Sequence, residues 1–133
     1  MVLHWRMFHV RADPSVQLLT ISFSQHVNDE EMKRCLAEIK KSLMKMNRGF
    51  SLLTDLSHLE EMDASCAPMI GEIMDLCNKR KISVAARVIP DPGKDIGFNL
   101  MSQFHYSADV QTRTFENLAE AMRMLPSQTS EES

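Results

Sequence analysis

The side chains best able to do chemistry crowd into one short stretch. From Asp55 to Cys66 the chain reads DLSHLEEMDASC, which brings four carboxylates, two hydroxyls, one imidazole and one thiol together. Three chemistries could use them. Hard divalent cations take carboxylate oxygens, so Asp55, Glu60, Glu61 and Asp63 form a candidate Mg²⁺ set. A thiol at a helix start gains acidity from the helix dipole, which makes Cys66 a candidate nucleophile with His58 upstream of it. Ser65, at the same helix start, is a candidate phosphorylation site, where added charge would be favoured by the helix end and opposed by Asp63.

Each reading has a plainer competitor that the residues favour. Acidic side chains in a polar loop are ordinarily solvated, and Cys66 falls on the apolar stripe of the helix that follows it. No third group stands ready to orient a His58–Cys66 pair, so catalysis is not expected and the protein reads as a non-enzyme. The remaining histidines, His4, His9, His26 and His105, are dispersed without the spacing of a zinc site. Gly93 and Gly97 do not make a phosphate loop. Neither metal nor cofactor is therefore expected. Asp63 and Ser65 suit two roles equally: capping the free N–H groups of the helix, or facing a partner.

These groups must be held by the elements on either side. Residues His4 to Val10 and Val16 to Phe23 flank the turn former Ala12-Asp13-Pro14-Ser15, which predicts an N-terminal hairpin. Asn28 is a good N-cap, followed by Asp29, Glu30 and Glu31. Met32, Cys35, Leu36, Ile39, Leu43 and Met46 then recur at helical spacing until Asn47-Arg48-Gly49, where Gly49 suits a left-handed stop. Phe50 to Leu56 is nearly continuous in apolar residues, the pattern of a central strand covered on both faces.

After the polar loop a helix runs to Lys79, with Pro68 in its first turn and Cys66, Met69, Ile70, Ile73, Met74 and Cys77 as its buried stripe. Gly71 would let that helix approach the sheet closely. Ile82 to Ile89 is a strand stopped by Pro90-Asp91-Pro92-Gly93. A helix from Lys94 to Phe104, an edge strand from Val110 to Phe115 and a helix from Asn117 to Leu125 follow, the last with Leu118, Ala121, Met122 and Leu125 on one side. Residues Pro126 to Ser133 read as a disordered tail on a single domain of residues 1–125. The element order calls for an α/β domain with a mixed four- to five-stranded sheet and about four helices. In such sheets, loops beyond the carboxyl ends of parallel strands hold the functional groups, and the loop after Asp55 is one of them.

Composition narrows the function. The chain has 133 residues, 44% of them hydrophobic and 25% charged, which is enough for one core without disulfides. Its net charge is −3 with scattered basic residues, so nucleic acid is excluded as an expected partner. Three cysteines in apolar patterns suit reduced thiols. No run reaches the length a bilayer needs, so neither a signal peptide nor a membrane span is expected, and the cytoplasm is the expected compartment.

The order of elements from Val16 to Leu125 resembles the STAS domain family, named for sulfate transporters and anti-sigma factor antagonists, whose fold is SpoIIAA-like. The resemblance rests on the strand end Asp55-Leu56-Ser57 and on Met62-Asp63-Ala64-Ser65 leading into a helix. It extends to Lys81-Ile82-Ser83-Val84 and to Thr114-Phe115-Glu116-Asn117-Leu118-Ala119-Glu120-Ala121. In anti-sigma factor antagonists the residue directly after the motif aspartate is the serine that a partner kinase phosphorylates. Here that residue is Ala64, Ser65 comes one place later, and Cys66 stands where glycine is usual.

The resemblance implies a non-enzymatic regulatory or scaffold domain that acts through a protein partner. Its contacts would be made by Asp55, Ser57, His58, Asp63 and Ser65 at the loop and helix start. A second reading starts from Phe98, Leu100, Met101, Phe104 and Tyr106, which exceed what one helix stripe can bury. Phe98, Met101 and Phe104 are then candidates for an apolar-ligand or homodimer contact. That reading describes a small lipid-binding domain of the SpoIIAA-like or CRAL-TRIO-like type.

Overall fold

The computed structural model describes residues 7–89, 91 and 105–130. Strands β1 (Phe8–Asp13) and β2 (Leu18–Val27) form the expected hairpin, with Phe8 opposite Phe23 and Asp13 opposite Leu18. Turn chemistry closes it: the Asp13 carboxylate accepts the Ser15 N–H at 3.2 Å and the Ser15 hydroxyl at 2.6 Å. Gln17 ends the turn at a φ of 51°, in the left-handed region that a non-glycine residue seldom adopts. Its side chain donates to the Pro14 carbonyl at 2.8 Å and accepts the Asn47 N–H at 2.6 Å, which holds it there.

Asn28 caps α1 (Asp29–Leu43) as its type and position require, its side-chain oxygen accepting the Glu31 N–H at 3.0 Å. Met32, Cys35, Ile39 and Leu43 are the residues this helix buries. The helix ends earlier than the run to Gly49 suggests. Met44 is its C-cap, and Gly49, at a φ of 91°, turns the chain into β3.

The sheet has the order β1-β2-β3-β4-β5. Its centre is β3 (Ser51–Met62), which pairs parallel with β2 on one side and with β4 (Val84–Val88) on the other. At the edge, β5 (Gln111–Phe115) pairs parallel with β4, so among the described strands only the hairpin is antiparallel and the sheet is mixed. Helices α1 and α2 (Ala67–Lys79) form the crossovers from β2 to β3 and from β3 to β4. They cover the same face, as successive crossovers of one hand must. Helix α3 (Leu118–Ser130) follows β5 and covers the opposite face, packing Ala121 and Leu125 on Leu18, Leu53, Val84, Ala86, Val88 and Phe115. Leu52 and Leu53 are buried on opposite faces of the sheet, which is why the central strand reads as a continuous apolar run.

Several boundaries differ from those expected. The largest difference is in β3, which continues to Met62 where the sequence suggests a polar loop from Ser57. Strand β2 likewise continues past Phe23 to Val27, and the two extensions supply each other's main-chain hydrogen bonds. Pairing outweighs the low strand propensity of Ser57, Glu60 and Glu61. Helix α3 runs on to Ser130, beyond the Leu125 end after which a tail was expected, and it starts at an Asn117 cap whose oxygen accepts the Glu120 N–H at 2.8 Å. Leu118 and Met122, expected on its buried side, are exposed.

Gly71 also has a different neighbour from the one expected. A side chain there would meet the His105 ring at 2.8 Å, so its bareness admits that ring, which accompanies the His105–Asp75 pair. The expected helix from Lys94 to Phe104, with Phe98, Met101 and Phe104, lies outside the described residues.

Candidate functional site

Pairing between β3 and β4 ends at Asp55 opposite Val88. Beyond it, β3 has β2 as its sheet neighbour among the described residues, so the two strands project together as a two-stranded ribbon. Ser24 lies opposite His58, Gln25 opposite Leu59, His26 opposite Glu61 and Val27 opposite Met62, with register shifts between Ser22 and Ser24 and between Gln25 and His26. Gln25 sits at the irregularity with a φ of 55°. Such bulges twist a ribbon and re-aim its side chains. The result sets the His26 imidazole beside Glu61 and Asp63.

Below the ribbon tip, the Asp63 N–H donates to the Val27 carbonyl at 3.0 Å, which holds the start of the following turn against the end of β2. Ala64–Cys66 form a single 3₁₀ turn, and α2 begins after it with Pro68 near its start. The capping role open to Asp63 and Ser65 is not the one they take. No side chain caps either helix start; Asp63 pairs with His26 Nε2 at 2.6 Å, and the Ser65 hydroxyl donates to the Asp29 carboxylate. The hydrogen bond that Asp63 accepts raises the His26 pKa above the ordinary imidazole value; desolvation opposes the shift, and the charges of Asp63 and Glu61 add to it.

The other expected residues divide clearly. Asp55 is buried, and its carboxylate accepts the Ser57 N–H at 3.0 Å and the Ser57 hydroxyl at 2.5 Å. It therefore shapes the root of the ribbon and leaves the candidate cation set. His58, Glu60, Glu61 and Ser65 are exposed, and Ser57 and Asp63 partly so. Cys66 is buried, with its thiol directed at the Val27 carbonyl at 3.8 Å. Burial raises its pKa, and the charges of Asp29 and Asp63 push the same way. This is the reverse of what a dipole-activated nucleophile needs.

No family model matches the sequence, and no curated protein matches it. Solved structures do match in shape. An uncharacterised protein of the DUF3478 family from Shewanella loihica PV-4, described as having a SpoIIAA-like fold, superposes with a TM-score of 0.71 at 12% identity, covering 94% of this chain and 98% of that one. The fold is SpoIIAA-like. The Bacillus cell fate determinant SpoIIAA in its phosphorylated form matches with a TM-score of 0.61 at 13% identity, over 87% of this chain and 96% of that one. A chain from the Pseudomonas aeruginosa complex of the diguanylate cyclase SiaD with its activator SiaC matches at 0.55 and 11% identity, over 79% of this chain and 89% of that one.

On this SpoIIAA-like frame, the turn before α2 and the ribbon tip form one exposed, mainly acidic face. His26 is the member that sequence spacing does not reveal. It lies far from Asp63 along the chain and reaches it only because β2 runs past Phe23 in parallel register with β3. The signal available was the length of the apolar-polar run after Val16, which continues through Val27. No described helix is long and apolar enough to cross a membrane.

Proposed function

We propose that the protein is a non-enzymatic regulatory domain of the cytoplasm that binds a protein partner through the tip of the β2–β3 ribbon and the turn before α2. The observation that carries this reading is the full or partial exposure of Ser57, His58, Glu60 and Glu61 on a strand pair anchored in the sheet, and of Asp63 and Ser65 in the turn that follows it. A face built on paired strands is fixed before binding, so little ordering entropy opposes association. The Glu61 and Asp63 carboxylates beside the His26 imidazole, with exposed Glu60 on the same ribbon, suit a partner surface bearing lysine or arginine. The likeness to SpoIIAA-like structures, one of them from a complex of a cyclase with its activator, supports a role in protein contacts.

Ser65 is a weaker candidate for modification. A phosphate on it would lose the hydrogen bond to Asp29 and stand against the Asp29 and Asp63 carboxylates. Among the described residues, the apolar crevice lined by Ile21, Phe23, Leu52, Ile70, Met74 and Tyr106 is about 40 Å³, and the helix from Lys94 to Phe104 on which the lipid-binding alternative rests lies outside them.

The test compares three tagged forms of the full chain in quantitative capture from extract. These are the natural protein, a ribbon variant carrying Glu60→Lys and Glu61→Lys, and an opposite-end variant carrying Arg48→Glu. A partner held by the natural chain and by Arg48→Glu but lost from the ribbon variant supports the reading. Equal capture by all three defeats it, and a lipid mass retained in native mass spectrometry would favour the alternative.

A further inference from the structure

The side chains of His26, Glu61 and Asp63 each offer one ligand atom, and all three atoms lie within 4.8 Å of one another. They come from separate places in the chain: the end of β2, the end of β3 and the residue before the 3₁₀ turn. Register puts His26 directly opposite Glu61. His26 Nε2 and Asp63 Oδ1 already face the same point, 2.6 Å apart. A cation bound tetrahedrally to both at about 2.0–2.2 Å would need them about 3.3–3.6 Å apart, an opening within reach of exposed side chains.

We propose that His26, Glu61 and Asp63 form a binding site for a first-row divalent transition ion of the zinc class. The donor set selects among metals. An imidazole nitrogen suits zinc, cobalt or nickel better than magnesium or calcium, which take oxygen donors alone. A soft ion such as Cu(I) is disfavoured, because the nearest thiol, Cys66, is buried and turned to the Val27 carbonyl. Three protein ligands leave the remaining coordination positions to water or to a donor from a partner. The ion would replace the His26–Asp63 hydrogen bond with two metal bonds and so tie β2, β3 and the turn before α2 together at one point. The proposal does not depend on partner docking, since the metal alone is the probe.

Calorimetric titration of the purified, chelator-treated full chain with Zn²⁺ tests it, alongside the visible absorption of a Co²⁺ titration. The expected result is one ion per chain, with Co²⁺ bands that report nitrogen and oxygen donors. His26→Ala and Asp63→Asn should each weaken Zn²⁺ binding by about tenfold or more, while His9→Ala, at an exposed position on β1, leaves it unchanged. Far-UV circular dichroism and the urea midpoint of each variant establish that it is folded. Three outcomes overturn the proposal: no saturable Zn²⁺ binding, undiminished affinity in a folded His26→Ala chain, or Mg²⁺ binding as tightly as Zn²⁺.

Discussion

At its Ser51 end, β3 is flanked by β2 and β4, whereas at its Met62 end β2 is its one sheet neighbour among the described residues and exposed side-chain pairs join the backbone ladder. Near Ser51, the Gly49 N–H reaches the Lys81 carbonyl at 2.7 Å, Ser51 reaches Gln17 at 2.9 Å, Ser83 reaches Phe50 at 2.8 Å and Gln111 reaches Ser83 at 3.0 Å. Phe50 is fully buried there. At the other end, the main-chain ladder with β2 and the Asp63-to-Val27 bond are joined by the His26–Asp63 and Ser65–Asp29 side-chain pairs, which are exposed. Backbone bonds persist whatever the side chains bind. Side-chain bonds can be exchanged for a proton, an ion or a partner, so stability and responsiveness are assigned to opposite ends of one strand.

If that division is right, the largest loss should come from the pinned end. Phe50→Ala should destabilise the protein by about 3–5 kcal/mol, as truncating a buried aromatic side chain does. Urea unfolding measures it, and a cost under about 1 kcal/mol would remove the contrast.

The thiols give the next effect. Cys77 accepts the Ile82 N–H at its carbonyl near the pinned end, and burial pushes its thiol up to about 12 from the ordinary 9.0. A folded pKa raised above the unfolded one means that the thiol's contribution to stability is complete below pH 9.0 and is lost as pH rises towards about 12. At about pH 10 the loss is on the order of 1 kcal/mol relative to neutral pH. Urea midpoints of natural and Cys77→Ala chains, measured at neutral pH and at about pH 10, should show a shallower alkaline decline in the variant. Cys66→Ala, at the ribbon end, should flatten the decline less.

Asn28, just past the ribbon tip, comes third. Losing its cap on α1 in Asn28→Ala should cost about 1 kcal/mol, read as a lower urea midpoint with an unchanged slope. A cost as large as that of Phe50→Ala would mean that the ribbon end carries as much stability as the core end.

The sequence made the frame legible where local chemistry and burial agree. The Asp13-Pro14-Ser15 turn, the Asn28 cap and the apolar run before Asp55 each point to the element found there. The order of those elements points to the SpoIIAA-like fold that the solved structures share. The site was half legible. Ser57, His58, Asp63 and Ser65 stand out by type, yet the strand under Ser57 to Met62 exists because β2 extends beside it, and no local signal carries a partner's length. His26 and Asp29 are not legible as members of the site for the same reason, since their distance from Asp63 and Ser65 along the chain hides their closeness in space.

The smallest expected effect bears most directly on function. Glu61 is exposed, its neighbours are one imidazole and one carboxylate, and it makes no contribution to either buried core. Exposed substitutions away from caps and cores usually change stability by less than about 0.5 kcal/mol. Glu61→Gln should therefore leave the urea midpoint almost unmoved. It keeps the shape of the side chain while removing a charge, so whatever it changes at the tip is electrostatic. Zn²⁺ affinity should fall, though less than in His26→Ala, because an amide oxygen is a poorer but still available donor. Partner capture should weaken and become less sensitive to added salt, since screening acts on the charge that was removed. A variant that kept its stability and lost neither property would show that the face is inert despite its composition. One that lost stability instead would place Glu61 with Phe50, among the residues that hold the fold.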